Sequence, residues 1–338
     1  MKKRIFINIH YLEIGGAERA LLGLLSALDP NKVDVDLFVN QHTGEFMSLI
    51  PKYVNLLPEV SEYTCIERSM KNILKEGYIG IALRRLWAKY EYKQYLKKIS
   101  AKESKHDYSI FQYVADAVEG ALPSLEYLGE YDLAISFLQP HNIVLNKVKA
   151  KRKICWIHTD YSTMHVNHDK ELPIWSGFDH IVSISNDCTR AFLKAFPELQ
   201  DKIILIENIL SPFFIRQQAE LDDVSTEMLN ETGVTKLLSI GRFAPPKNFE
   251  AIPQICAEME RLGVNFKWYI IGYGNDSGIQ TALDKYKMHH RMILLGKKIN
   301  PYPYIKACDI YIQPSIYEGK SVTVRELSLI HISEPTRP

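Results

Sequence analysis

KLLSIGRFAPPKNFEAI, residues 236–252, carries the plan of the chain in miniature. A short apolar run ends on Gly241, two cations follow at Arg242 and Lys247, a proline pair interrupts the backbone between them, and a helical pattern opens after Asn248. Strand, glycine turn and helix make a βα unit, whose turn lies at the carboxyl end of a parallel strand. Two cations converging there suit a diphosphate, which an arginine fork grips through paired hydrogen bonds. Two solvated surface charges are the other reading of this motif by itself. Asn248 reads as the cap of the following helix.

The same unit recurs along the chain. Strand candidates run at 4–9, 33–39, 131–137, 153–158, 180–185 and 202–206, and a second set at 236–241, 266–272, 292–296 and 310–315. Amphipathic stretches such as 17–28 and 249–263 lie between them. This alternation predicts parallel sheets covered by helices on both faces. At 338 residues two domains are the natural expectation. The polar stretch 207–233, with Pro212 inside it and Gly233 at its end, is the expected boundary. Each half is then a Rossmann-like sheet with ligands at the carboxyl ends of its strands, and the expected active site is a cleft between the two.

Composition narrows the class. A formal charge of +1 gives no general reason to bind nucleic acid, and 46% apolar with 24% charged residues is ordinary for a globular chain. No stretch approaches the roughly eighteen uncharged apolar residues of a membrane span. The N-terminal MKKRIFINIH passes straight into a strand pattern and is read as mature sequence. Cys65, Cys155, Cys188, Cys256 and Cys308 are scattered without a CxxC, which suits buried thiols in a reducing cytosol.

Three further motifs follow strands. Gly15-Gly16 separates the first strand from its helix, where bare backbone and unpaired helix N–H groups can approach an anion. Gly272-Tyr273-Gly274 makes a turn that can leave room for a base or ribose, although a lone GxG says little. In SIYEGKSVTVRE, Glu318 precedes Gly319 and Lys320, and Glu326 lies eight residues beyond Glu318. Eight helical residues rise about 12 Å and turn about 80° off the starting face. The two carboxylates therefore cannot act on one atom, but they can hold separate hydroxyl-bearing parts of an extended ligand.

Taken together, GGAE after the first strand, WIHTD, GRFAPPKN and PSIYEGKSVTVRE resemble the retaining glycosyltransferases of family 4, with the GT-B fold. LLGKKINPYPYIKACDIYIQPS is similar to bacterial members that build capsular or other surface polysaccharides. The resemblance implies two Rossmann-like domains facing across a cleft: 1–210 on the acceptor side and 211–326 on the donor side. It implies a UDP- or GDP-sugar donor, a saccharide or lipid-linked saccharide acceptor, and neither metal nor other cofactor. Gly15 and Gly16 would approach the donor phosphates and the acceptor. Arg242 and Lys247 would neutralise the departing diphosphate, Glu318 would contact sugar hydroxyls and Glu326 the ribose. Backbone N–H groups at Gly319 and Lys320 would complete the phosphate cradle, and His158 would face the transferred sugar. Family members often carry an aromatic or aliphatic residue at the position of Lys320.

Residues 84–105 hold eight Lys/Arg and two Glu with Trp87, Tyr90, Tyr92 and Tyr95 interleaved. They read either as a surface resting on anionic lipid, which would place the protein peripherally at the inner face of the cell membrane, or as a solvated helix. The last residues, 327–338, do not continue the family pattern, so the second domain is expected to be incomplete, the tail non-native and activity of this chain reduced. A non-catalytic nucleotide or glycan binder, and an epimerase or phosphorylase of the same fold, are the competing readings.

Overall fold

The computed structural model describes residues 2–100, 103, 107–210, 212–316 and 322–330. The chain divides into two compact units, Met1–Ile209 and Leu210–Pro338.

The first unit is a seven-stranded sheet. Its strands are β1 (Lys3–Ile9), β2 (Val33–Val39), β3 (Asn55–Leu56), β4 (Leu133–Ser136), β5 (Lys153–Ile157), β6 (His180–Ser183) and β7 (Ile203–Leu205). They lie in the order β3-β2-β1-β4-β5-β6-β7, and every pairing is parallel. The helices are α1 (Gly16–Ala27), α2 (Ser61–Thr64), α3 (Met70–Lys75), α4 (Ile79–Leu96), α5 (Ile110–Glu119), α6 (Asn142–Lys147), α7 (His168–Ser176) and α8 (Asn186–Ala195). The two-residue edge strand β3 has no sequence pattern to announce it.

The second unit has the strands β8 (Thr235–Ile240), β9 (Phe266–Ile271), β10 (Met292–Gly296) and β11 (Ile310–Tyr311), in the parallel order β10-β9-β8-β11. Its helices are α9 (Pro212–Ala219), α10 (Ile252–Arg261), α11 (Ser277–Tyr286), α12 (Tyr302–Ala307) and α13 (Val322–Ile330). The stretch expected to be a polar boundary is thus partly folded. Ile215 and Ala219 of α9, with Val224 and Met228 beyond it, are buried in the core of this unit.

Both sheets are apolar on both faces, which is why their strands read as near-continuous apolar runs. Successive side chains of a strand point to opposite faces. Phe6 accordingly packs into one core, with Tyr113 and Trp175, while Ile5, Ile7 and Ile9 pack into the other, with Leu21, Leu22 and Leu25 of α1. In β9, Tyr269 and Ile271 face one way and Phe266, Trp268 and Ile270 the other. Phe6 has no exposure, and truncating such a ring to alanine costs about 3–5 kcal/mol.

These orders create one switch point in each sheet, where neighbouring strands send their chains off in opposite directions. It lies between β1 and β4 in the first unit and between β8 and β11 in the second. A crevice at the carboxyl ends of such a pair is where open α/β sheets take ligands.

Candidate functional site

At the switch point of the second unit, Gly241 follows β8 and donates its N–H to the Ile271 carbonyl at 3.0 Å. Arg242 comes next, and Lys247 closes the short turn Pro245–Lys247. A Cβ on Gly241 would stand 3.4 Å from Cδ of Lys247, so the bare glycine lets the lysine stem lie across the strand end. The turn is also fastened to the chain leaving β11. Asn248 donates from Nδ2 to the Pro314 carbonyl at 3.2 Å, and the Ile316 N–H donates to the Pro246 carbonyl at 2.9 Å.

Asn248 is therefore not the expected helix cap. It is left-handed at φ 56° and makes no side-chain cap bond; α10 starts only at Ile252, after a tight turn at Phe249–Ala251. Asparagine enters the left-handed region more readily than most residues. Here it serves a loop tie instead of a cap.

The glycines of the Gly272-Tyr273-Gly274 turn have a use within the protein. The place of a Cβ on Gly272 is taken by the Gly241 carbonyl and by the Phe243 ring, whose Cε1 would be 2.5 Å away. Phe243 N–H donates to the Tyr273 carbonyl at 2.8 Å, Phe243 bridges Gly274, and Gly274 has a φ of 125°. The room expected for a nucleotide at Gly272 is filled by the neighbouring loop. Tyr273 stays partly exposed, with Nζ of Lys297 5.2 Å from its ring centroid.

Glu318, Gly319 and Lys320 lie outside the described residues. Glu326 is described and fully buried, and its Oε1 accepts from the Tyr302 hydroxyl at 2.8 Å. With no exposure, this carboxylate joins α13 to α12, and the ribose contact expected of it is not what this placement offers.

In the first unit, Gly15 and Gly16 part company. Gly15 is the extended residue before α1, and the Glu18 carboxylate folds back into the space that a side chain on Gly15 would need. A carboxylate near a helix N-terminus is favoured by the helix dipole, so the expected anion position beside Gly15 is met by the chain's own acid. Gly16 opens onto free space.

His158 follows β5 with its ring 4.5 Å from that of Phe137, and its Nε2 is buried without a hydrogen-bond partner among the described residues. Burial lowers the imidazole to about 4, which keeps it neutral at physiological pH. Two more histidines, His10 after β1 and His141 after β4, occupy the same end of the sheet. His10 Nε2 donates to the Gln139 carbonyl across the switch point, and its Nδ1 lies 3.2 Å from Glu67. His141 is fully buried, pairs Nδ1 with the Ser136 hydroxyl at 2.7 Å, and is lowered by burial to about 3.

A separate surface runs along α4. Ile79, Leu83, Leu86, Trp87 and Tyr90 are all more than half exposed. At about 100° per residue they share an arc of roughly 100°, with the exposed Lys89 and Lys93 to one side. The other aromatics of this stretch turn inward: Tyr92 and Tyr95 pack 5.7 and 5.9 Å from Tyr113. Arg85 is buried as well, donating to the carbonyls of Cys65 and Arg68, and so drops out of the basic surface expected from sequence.

Residues 225–327, which include the Arg242–Lys247 turn, match the family model described as glycosyl transferases group 1. The second unit carries a glycosyltransferase group 1 domain. The chain is accordingly a transferase of glycosyl groups, built on the GT-B fold. Among solved structures, a glycosyltransferase from Rickettsia africae is similar at 13% identity and a TM-score of 0.61, covering 97% of this chain and 77% of that one. The Anabaena protein Alr3699/HepE, solved with UDP and glucose, is similar at 13% and 0.60, covering 97% and 78%. S. aureus TarM, solved with Fondaparinux, alpha-GlcNAc-glycerol and UDP, stands at 12% and 0.58, covering 97% and 84%. At such identities the likeness is one of fold. No curated protein matches the chain by sequence.

The glycosyltransferase also carries residues at the carboxyl ends of its strands that the motifs did not single out. Lys297 was hidden in the run LLGKK, although a cation one residue past a strand is the signal that marked Arg242. His10 ends its strand motif as His158 does, and could have been read the same way. His141 and its Ser136 partner are brought together only by the fold. Among the described residues, no His, Cys, Asp or Glu cluster has the arrangement of a metal site, and no helix is long and apolar enough to cross a membrane.

Proposed function

We propose that this glycosyltransferase moves a sugar from a UDP- or GDP-linked donor to a saccharide or lipid-linked saccharide, with retention and without a metal, in surface polysaccharide synthesis. The observation that carries the reading is the Arg242–Lys247 turn at the switch point, fastened to the segment that leads into Glu318. When the bond between the anomeric carbon and the diphosphate oxygen breaks, negative charge grows on the diphosphate. A guanidinium and an ammonium held in place beforehand stabilise it without reorganising. The arginine grips two oxygens, and the lysine supplies a compact charge. The acceptor oxygen bonds to the anomeric carbon on the face the diphosphate leaves, and the acceptor proton passes to the departing diphosphate.

In this reading Glu318 takes hydroxyls of the transferred sugar, and the N–H groups of Gly319 and Lys320 extend the cradle. Neutral His158 stands near the sugar on the side of the first unit, and Gly16 leaves its helix N-terminus approachable. Residues 211–326 take the donor and 1–210 the acceptor. The UDP bound by Alr3699/HepE and by TarM supports a uridine donor over a guanosine one. Calorimetric titration with UDP, GDP and NAD, followed by turnover across UDP- and GDP-sugars, tests the proposal. UDP binding without turnover on any donor would favour the non-catalytic binder.

The apolar stripe of α4 with its flanking lysines supports a peripheral seat on anionic lipid at the cytoplasmic face, where a lipid-linked acceptor would be met.

A further inference from the structure

A cavity of about 340 Å³ opens in the first unit beside the ends of β4 and β5, lined by Tyr108, Phe111, Gln112, Gln139, Thr159 and Glu171 among others. That volume is at the small end of ligand pockets, roughly 300–1,000 Å³. Glu171, on α7, is 3% exposed. Three donors converge on one of its oxygens, Oε2: Gln139 Nε2 at 3.1 Å, Trp175 Nε1 at 3.2 Å and the Tyr161 hydroxyl at 3.4 Å. Its other oxygen, Oε1, has no partner among the described residues and is not sealed from solvent, so it is open to a guest.

The same asymmetry recurs in the two glutamines. Gln112 Nε2 donates to Asp116 at 2.6 Å and to Asn142 at 2.9 Å; Gln139 Nε2 donates to Glu171 and to the Tyr161 hydroxyl. Carboxylates only accept, so both amides have their orientation fixed. The amide oxygens are left without partners among the described residues. The cavity thus engages its amide and indole donors internally and offers acceptors: Glu171 Oε1, Gln112 Oε1 and Gln139 Oε1. Among the described residues, no lysine or arginine lines it. With only the hydroxyls of Tyr108 and Thr159 left to donate and a carboxylate facing in, a phosphate or carboxylate is poorly served. A ligand rich in hydroxyl donors is the right guest, and the exposed rings of Tyr108 and Phe111 offer an apolar surface for C–H faces.

We propose that this cavity binds one uncharged pyranose, the acceptor unit, with Glu171 Oε1 receiving one of its hydroxyls. The proposal rests on the reading that the first unit takes the acceptor, and it adds that the unit seated there is neutral. Glu171→Gln is a clean probe. Three donors at the Oε2 position force the amide oxygen to that side, so the amide nitrogen faces the cavity and turns an acceptor into a donor. Phe111→Ala removes a ring that is 57% exposed and leaves the core intact.

Methyl glycosides of glucose, galactose, mannose and N-acetylglucosamine, together with methyl glucuronoside, are titrated by ligand-observed NMR, with UDP titrated separately. The expected result is that at least one neutral glycoside binds and the glucuronoside binds more weakly. Glu171→Gln should weaken the neutral ligand about ten-fold or more with melting temperature and UDP affinity unchanged, and Phe111→Ala should also weaken it. The proposal is overturned if no neutral glycoside binds the wild type, if the glucuronoside binds as well as the neutral ones, or if both variants bind as the wild type does. Loss of UDP binding with glycoside binding intact strikes the donor reading and leaves this one standing.

Discussion

Asn248 hands its Nδ2 hydrogen to the carbonyl of Pro314 at 3.2 Å, and so joins the loop of Lys247 to the chain that runs on towards Glu318. The residue does this from a left-handed backbone. Asn248→Ala loses the bond and strains the backbone, for a combined cost of about 1–3 kcal/mol. Asn248→Gly loses only the bond and should cost less. Urea unfolding of the three proteins checks the order, and an alanine variant as stable as the wild type would refute the tie.

Arg242→Ala and Lys247→Ala should each lower turnover by about 10²–10³ or abolish it, with the unfolding midpoint and circular dichroism unchanged. Neither side chain is part of the buried core. Initial rates with the preferred nucleotide sugar decide, and near-wild-type turnover in either variant sinks the assignment.

Gly272→Ala should destabilise by about 1–3 kcal/mol, because its methyl group meets a backbone carbonyl that cannot step aside. Gly16→Ala adds a methyl group in open space and should leave stability unchanged. Thermal unfolding of both separates a packing glycine from an open one; equal melting temperatures would contradict the interlocked loops.

Much of the fold was legible because strands buried on both faces write themselves as apolar runs. VDVDLFV and MILLG have their observed bounds in the sequence. Strand ends were read too long where an apolar sequence pattern outruns the ladder, as at Ile310–Tyr311. Asn248 misled because capping and left-handed turns favour the same residue. Glu171 was illegible: nothing local marks a glutamate whose three donors come from Gln139, Tyr161 and Trp175. Helical spacing shows that Trp87 and Tyr92 diverge, but which of them faces inward depends on Tyr113.

Stability should fall as pH drops from about 7 towards 4. His141 and His158 are held neutral in the fold, at about 3 and about 4, against 6.5 ordinarily. Below pH 6.5 the unfolded chain binds the protons that the folded one refuses, so unfolding is favoured until the folded values are reached. Each group contributes on the order of 1 kcal/mol per pH unit in that window. Replacing His141 by asparagine should flatten the stability-against-pH curve relative to wild type; parallel curves would show that His141 is not the source.

The stripe on α4 should bind vesicles of anionic phospholipid at low salt and release them at high salt, since screening removes the lysine contribution. Leu83→Ser with Trp87→Ser should abolish co-sedimentation without unfolding, both side chains being exposed. A wild type that stays in solution at low salt ends the idea.

The interlock of Gly241, Phe243 and Gly272 bears on any effort to re-engineer the loops after β8 and β9. A loop borrowed from a distant relative cannot be exchanged after β8 alone, because its partner after β9 is cut to the same template. Chimeras that transplant 241–248 and 272–274 together preserve the fit, whereas single-loop swaps set a foreign side chain against a carbonyl. In a directed library these two segments count as one cassette.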